Sequence, residues 1–441
     1  MKKNNDLTTG NIAKKLCLFI LPLLISVVCQ QIYNLADSII AGKFLGESSF
    51  AAISNSYEIT LIFMAISVGS NIGCSVIISQ LFGAKRFSDM KSAISTTFIC
   101  AFLLSVVLSS VGILTLPALL KAINTPEAIF CECYDYLVIY ILGFGAMYLY
   151  NVANGTYSAM GDSLTPLVFL VFSSVLNIVL DILLVPMGVA GIAWATFISQ
   201  VLACVLSLVF LFIKLSKIKE RAQNVFSFSL LKKIAGVAIP SILQQSFISV
   251  GNIILQGLIN SYGTAVIAGY GAGVKLNNFT INTMTTLGNG VSAFTAQNMG
   301  AGKIERIKSG FSVGVKIGLC VSLIFAIPYF IFPEPIVSFF IENPTEQAIE
   351  TGCVFLRILS PFYFCISLKL VSDGILRGSG AMKYFLCATF TDLVLRVVLA
   401  FVLAHFLESV GIWIAWPLGW FIGTGLSCFF YNKGKWKKQI I

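Results

Sequence analysis

Asp37 and Asp181 stand inside long apolar stretches of the first half of the chain, and Asp37 has no local cation to neutralise it. A charged side chain at mid-bilayer costs about 2.5 to 3.5 kcal/mol on insertion scales, so one that persists is expected to work. Asn177 lies one helical turn from Asp181, and Gln30, Asn34 and Asp37 share a helix face with Tyr33 beside them. Thr196 falls at a similar depth in the next apolar stretch, which puts Asp37, Asp181 and Thr196 about 8 Å below the same boundary at 1.5 Å per residue. Carboxylate, amide and hydroxyl oxygens suit a hard cation such as sodium, and a desolvated carboxylate also carries a proton. The plainer alternative for Asn177 and Thr196 is interhelical hydrogen bonding, a common use of such side chains in membranes.

The second half distributes its charge differently. Lys275, Lys369, Asp373, Asp392 and Arg396 fall within its apolar stretches. Lys369 and Asp373 are four residues apart, as are Asp392 and Arg396, so each pair is expected to neutralise itself on one helix. Lys275 is left over. The first half therefore keeps a negative interior and is the expected place for cation coupling.

These residues need a scaffold that crosses a membrane. The chain is 57% hydrophobic and 11% charged, against about 25% charged in ordinary soluble domains. Twelve apolar stretches are long enough to span a ~30 Å hydrocarbon core as helices: 16–42, 57–83, 93–115, 134–158, 166–186, 190–213, 235–260, 268–299, 310–332, 352–376, 384–404 and 411–431. The sequence also repeats. Pro22, Asn34, Gly73, Gln80, Gly83-Ala84 and Lys91-Ser92 return as Pro240, Asn252, Gly290, Gln297, Gly300-Ala301 and Lys308-Ser309 at an offset of 217 to 218 residues. Six spans per copy return the chain to its starting side, so the copies are parallel repeats. The predicted fold is all-α, with twelve transmembrane helices in two six-helix lobes. The predicted boundaries are 1–213 for the first lobe, 214–229 for a linker and 230–441 for the second.

Charge orients the molecule. If the N-terminus is cytoplasmic, the segments on that side carry 22 of the 29 Lys and Arg residues, as the positive-inside tendency requires. The net charge of +10 is then a topological bias that needs no nucleic-acid partner. The first apolar segment is long, carries Asp37 and lacks a small-residue cleavage site, so it is expected to remain as a helix. The close pair Cys131 and Cys133 has no second pair to complete a zinc site. His405 is the only histidine. Around Gly300-Ala301-Gly302-Lys303, Gln297 stands where a phosphate loop needs glycine and Ile304 where it needs Ser or Thr. No cofactor is expected, and an enzyme is disfavoured because the longest loop, Lys214 to Lys233, is basic and lacks paired acids. A pump without ATP chemistry draws on an ion gradient.

The order and spacing of Gln30-Gln31-Ile32-Tyr33-Asn34-Leu35-Ala36-Asp37-Ser38, Gln80-Leu81-Phe82-Gly83-Ala84, Asn177 to Asp181, Gly191 to Gln200 and Gly374-Ile375-Leu376-Arg377-Gly378-Ser379-Gly380 resemble the multidrug and toxic compound extrusion family over essentially the whole chain. The resemblance implies alternating access and export of cationic amphiphilic compounds against protons or sodium, by a monomer of the cell membrane whose partners are small molecules and lipids. Residue by residue, it implies a cation site at Asp37, Asn177, Asp181 and Thr196 and a cavity lined by Gln30, Tyr33 and Asn154. Pro22 matches the proline at which the first helix bends. Lys275 and Asn34 join the expected substrate-binding set. The rival reading is a flippase for lipid-linked oligosaccharides, whose anionic cargo would want Lys275, Lys369 and Arg396 on its cavity walls.

Overall fold

The structure, a computed structural model, describes residues 6–123, 125–341 and 345–438; Lys2, Lys3 and Glu342, which enter the charge count above, lie outside them. The helices are α1 Ile12–Ile40, α2 Glu47–Gly83, α3 Phe87–Ala122, α4 Glu127–Ala159, α5 Leu164–Leu184, α6 Val189–Ser216, α7 Phe228–Asn260, α8 Thr264–Gly300, α9 Ile304–Ile331, the short α10 Pro333–Ser338, α11 Glu346–Leu359, α12 Tyr363–Gly378 and α13 Met382–Lys433. In hydrocarbon every backbone N–H and C=O must find a partner within the protein, and a helix does this within a single segment. Several helices outrun the apolar stretches that announce them: α3, for example, covers residues 87–122, against an apolar stretch of 93–115, because a helix continues into the interface once begun.

Among the described residues, ten segments are long and apolar enough to cross a membrane, with α11 and α12 counted together. The eleventh pass is α8, equal in length to α2 at 37 residues but more polar. The twelfth is hidden in α13, whose 52 residues would extend about 78 Å, more than twice the hydrocarbon core. That helix breaks at Glu408, where φ is 51° and ψ is −138°.

The backbone repeats as the sequence does. Positive φ occurs at Gly46, Lys85, Gly161 and Gly188 in the first copy and at Gly263, Gly302, Gly380 and Glu408 in the second, at offsets of 217 to 220. The Glu408 break is thus the counterpart of the turn between α5 and α6, and α13 is two helices of the repeat joined end to end.

The chain forms two compact units. Unit 1 contains Leu21–Ile242, and unit 2 contains Leu7–Ile20 with Leu243–Ile441. Each unit thus includes the opening segment of the other copy's first helix: unit 2 holds the start of α1, and unit 1 the start of α7. Close approach fixes these segments. In unit 1, a Cβ added to Gly73 of α2 would lie 2.7 Å from the backbone N and Cα of Ala238 on α7. In unit 2, one added to Gly290 of α8 would lie 2.7 Å from Cγ1 of Ile20 on α1.

The peptides that lead into these helices are tied down too. Leu7 is buried in unit 2, its N–H donating to Gln297 Oε1 at 3.1 Å. Its carbonyl accepts from Asn298 at 3.3 Å and from Arg306 Nε at 3.2 Å. Arg306 also donates to the carbonyls of Thr9 and Gly10, and Lys303 to that of Thr8. In unit 1, Lys91 donates to Ile218 O at 2.8 Å, Ser95 to Val225 O at 2.6 Å, and the Ser227 N–H to Thr96 at 2.9 Å. Pro22 lies inside α1, and the helix continues through it. Ser26 donates back to the Pro22 carbonyl at 2.9 Å.

Asp162 fixes the start of α5. Its carboxylate accepts from the Thr165 N–H at 3.1 Å and hydroxyl at 2.8 Å, and it pairs with Lys214 near the end of α6. Burial works to raise the carboxyl, but Lys214 and Thr165 outweigh it and hold the group below the ordinary carboxylate range. A folded-state value below the unfolded one gives stability that is complete at neutral pH and lost as pH falls through the folded value. The melting-temperature gap between wild type and Asp162→Asn should therefore be constant near pH 7 and close below about pH 4. A gap that widens on acidification would contradict this assignment.

Candidate functional site

Three helices of unit 1 bring the first-half polar residues together. Asp37 lies near the end of α1, which passes into a π-helical turn at Ala41–Leu45. Asn177 and Asp181 sit on α5 and are almost completely buried, at 1% and 0% exposure. Thr196 reaches them because the connection to α6 is very tight. A 3₁₀ turn at Val185–Met187 leads to Gly188 with φ 68°. At Gly191 a Cβ would lie 2.0 Å from the Leu184 carbonyl oxygen, so only glycine lets α6 fold back this closely.

The Asn177 amide is the centre of the cluster. With its nitrogen toward the acids, it donates to Asp37 Oδ1 at 3.0 Å and to Asp181 Oδ2 at 2.9 Å, while its oxygen accepts from the Thr196 N–H at 3.2 Å. Turned over, the amide nitrogen donates to Thr196 Oγ1 at 3.3 Å and the oxygen faces the acids. Asp37 and Asp181 are within hydrogen-bonding reach of each other, and the Tyr33 hydroxyl reaches both Asp37 and Thr196. The second oxygen of Asp181 is buried without a partner among the described residues. Neither acid forms an ion pair there. Two carboxylates in contact repel unless a proton or a metal cation lies between them.

The remaining expected residues fall elsewhere. Gln30 is exposed on α1, and the Asn34 side chain lies outside the described residues. Asn154 is half-buried on α4, its oxygen unpartnered among the described residues. Lys275 is exposed on α8 in unit 2 together with Asn278 and Asn282. Tyr136 on α4 is close to both Asp37 and Asp181 and stacks on Tyr140 with ring centroids 6.5 Å apart. The i, i+4 spacing of two tyrosines in an apolar span was the available signal for this pair, and the sequence reading passed over it.

In unit 2 one expected pair forms and the other does not. Lys369 Nζ meets Asp373 Oδ2 at 2.9 Å. Asp392 makes no ion pair with Arg396 among the described residues; it turns to Lys369 at 3.5 Å instead. Arg396 donates to Asn252 at 3.3 Å and lies 4.3 Å above the Trp416 ring. The i, i+4 expectation fails because a buried lysine across the helix interface offers Asp392 a better partner, and the flat guanidinium finds an aromatic face.

Comparison with known proteins agrees with this architecture. A family model, MatE, matches residues 22–183 and again 240–402. The chain belongs to the MatE family. The two matches fall on successive copies of the repeat. The MatE chain is 27% identical to the probable multidrug resistance protein YoeA of Bacillus subtilis, covering 97% of this chain and 95% of that protein. It is 25% identical to a FAD transporter of Shewanella oneidensis, covering 98% and 96%. A solved structure described as the outward-facing conformation of a multidrug resistance MATE family transporter shares the fold with a TM-score of 0.92 at 22% identity, covering 99% of this chain and 98% of the other.

Proposed function

We propose that this MatE protein is a secondary active multidrug efflux antiporter of the cell membrane, with both termini cytoplasmic, that exchanges cationic amphiphilic compounds for protons or sodium by alternating access. The observation that carries the reading is the contact between Asp37 and Asp181, two acids in membrane-spanning helices with no basic partner among the described residues. Such a pair has a standing need for a positive charge, and an ion moving down its gradient supplies one. The Asn177 amide, with its nitrogen toward both acids and its oxygen on the Thr196 N–H, holds the two carboxylates together around whatever positive charge they take up. Tyr33 offers an aromatic face to a flat organic cation, an attraction of about 0.5 to 2 kcal/mol.

Since ion and drug draw on the same negative charge, each should weaken the other's binding by an equal factor. The test is transport of ethidium by purified protein in vesicles, with proton and sodium gradients imposed separately. One gradient is expected to drive dye movement and the other to be inert, with collapse of the active gradient stopping it.

Exposed Lys275, with Asn278 and Asn282 on the same helix, favours a second reading in which the cargo carries an anionic or acceptor-rich group, as FAD does. Dye levels unchanged in cells, together with complementation of a lost lipid-linked sugar flippase, would favour that reading over drug export.

A further inference from the structure

We propose that Lys369 is a tethered cation: its ammonium permanently fills a two-carboxylate site in unit 2 formed by Asp373 and Asp392, and so keeps that unit from taking up an exchangeable ion. The three side chains are buried, Lys369 and Asp373 at 3% exposure and Asp392 at 6%. They come from separate elements, Lys369 and Asp373 from α12 and Asp392 from the first arm of α13. The ammonium lies 2.9 Å from Asp373 Oδ2 and 3.5 Å from Asp392 Oδ2. Ser427, on the second arm of α13, donates to the other oxygen of Asp373 at 2.6 Å and fixes the carboxylate plane.

The neighbouring arginines act on the two acids through space but form no ion pair with either among the described residues. Arg396 is directed to Asn252 and Trp416, and Arg377, one turn after Asp373, donates to Asn289 at 2.5 Å. Lys369 is therefore the only basic residue in an ion pair with either acid among the described residues. The wall is closed as well: a Cβ on Gly423 would lie 2.8 Å from Lys369 Cε and 2.9 Å from Asp392 Cβ. The α13 backbone at Gly423 thus packs directly against the lysine stem and the base of Asp392.

Chemically, this is the same arrangement as in unit 1, two carboxylates from different helices with a hydroxyl nearby, except that here the positive charge is covalently part of the chain. An ordinary buried salt bridge would need only one acid per base. A lysine placed against two acids, with neither neighbouring arginine in an ion pair with them among the described residues, is what a monovalent cation site looks like when its occupant cannot leave. Combined with the antiporter reading proposed above, on which this last step rests, one ion site per molecule would exchange, the one at Asp37.

The test uses purified full-length protein in lipid nanodiscs, in an Asp37→Asn background so that the first site cannot contribute. Lys369→Met should vacate the charge while keeping the volume of the side chain. Asp37→Asn alone is expected to show no saturable binding of radioactive sodium. Asp37→Asn/Lys369→Met is expected to bind about one sodium per chain and to melt several degrees higher in sodium chloride than in choline chloride. Adding Asp373→Asn should remove both effects, and Lys369→Arg in place of the methionine should show neither. A monodisperse Lys369→Met protein that neither binds sodium nor responds to it would overturn the proposal.

If that variant does not fold, Lys369→Ala purified in ethylammonium chloride supplies the severed head group in trans. Recovery of monodisperse protein specific to ethylammonium supports the proposal, and no recovery overturns it. Neither readout depends on whether Asp37 couples to transport, so the two readings fail separately.

Discussion

Asp37→Asn is expected to reduce drug export to the background of cells lacking the protein while leaving insertion and yield unchanged. The substitution keeps the size of the side chain and its capacity to hydrogen-bond, so the packing of α1 against α5 survives. What disappears is the negative charge that a coupling ion must neutralise. Asn177 now faces an amide, and the remaining acid, Asp181, no longer has a second carboxylate against which to hold a cation. Asp181→Asn should act in the same direction through the other half of the pair. Export is best read in vesicles at fixed protein density, so that altered expression cannot imitate altered coupling. Wild-type export by well-folded Asp37→Asn protein would move the coupling site elsewhere.

The second large effect is steric. Within a helix, Gly→Ala ordinarily stabilises by about 0.5 to 1 kcal/mol because it narrows the unfolded ensemble. Gly73→Ala should reverse that sign, since the new methyl would sit 2.7 Å from the backbone of Ala238 and two helix backbones cannot yield as a side chain can. Overpacking of this kind costs about 1 to 3 kcal/mol. Gly290→Ala should be milder. Its obstacle is a side-chain atom, Cγ1 of Ile20 at 2.7 Å, where Gly73 meets a second helix backbone. Gly271→Ala, with nothing within 4 Å, is the control and should hold or raise the melting temperature. The expected order of melting temperatures is Gly271→Ala highest, then Gly290→Ala, then Gly73→Ala; an inverted order would remove the crossed helix segments from the account of stability.

Much of this architecture was legible beforehand because it rests on properties a linear sequence carries. Apolar length reports the number of passes, and the recurrence of Pro22 and Pro240 or Gly73 and Gly290 at a fixed offset reports the repeat. The meeting of Asp37, Asn177, Asp181 and Thr196 was also foreseeable, since Asp37, Asp181 and Thr196 stood at one depth and Asn177 one turn from Asp181 on the same face. What could not be read is which helix lies beside which. Repeat spacing says that α1 and α7 are equivalent, yet it is silent about the compact unit in which each opening segment is packed. The same blindness paired Asp392 with its neighbour along the helix, Arg396, when its partner, Lys369, comes from another helix. Tyr136 was missed because a tyrosine in an apolar span looks the same whether its hydroxyl meets an acid or lipid.

The anchoring of Leu7 carries a consequence for how the molecule is made. The Leu7 N–H waits for Gln297, which lies 290 residues later in the chain. At ribosomal rates of about 5 to 20 residues per second, roughly 15 to 60 seconds pass between the emergence of the peptide and that of its docking surface. During that interval the opening of α1 sits in the bilayer without the neighbours it ends with, and a chaperone or the insertion machinery has to tolerate it. The start of α7 meets no such delay, since α2 and α3 are already in place when it emerges. Biogenesis is therefore asymmetric even though the finished repeat is not, and a ribosome stalled before residue 297 should leave the N-terminal peptide open to protease while the 218–227 segment is already protected.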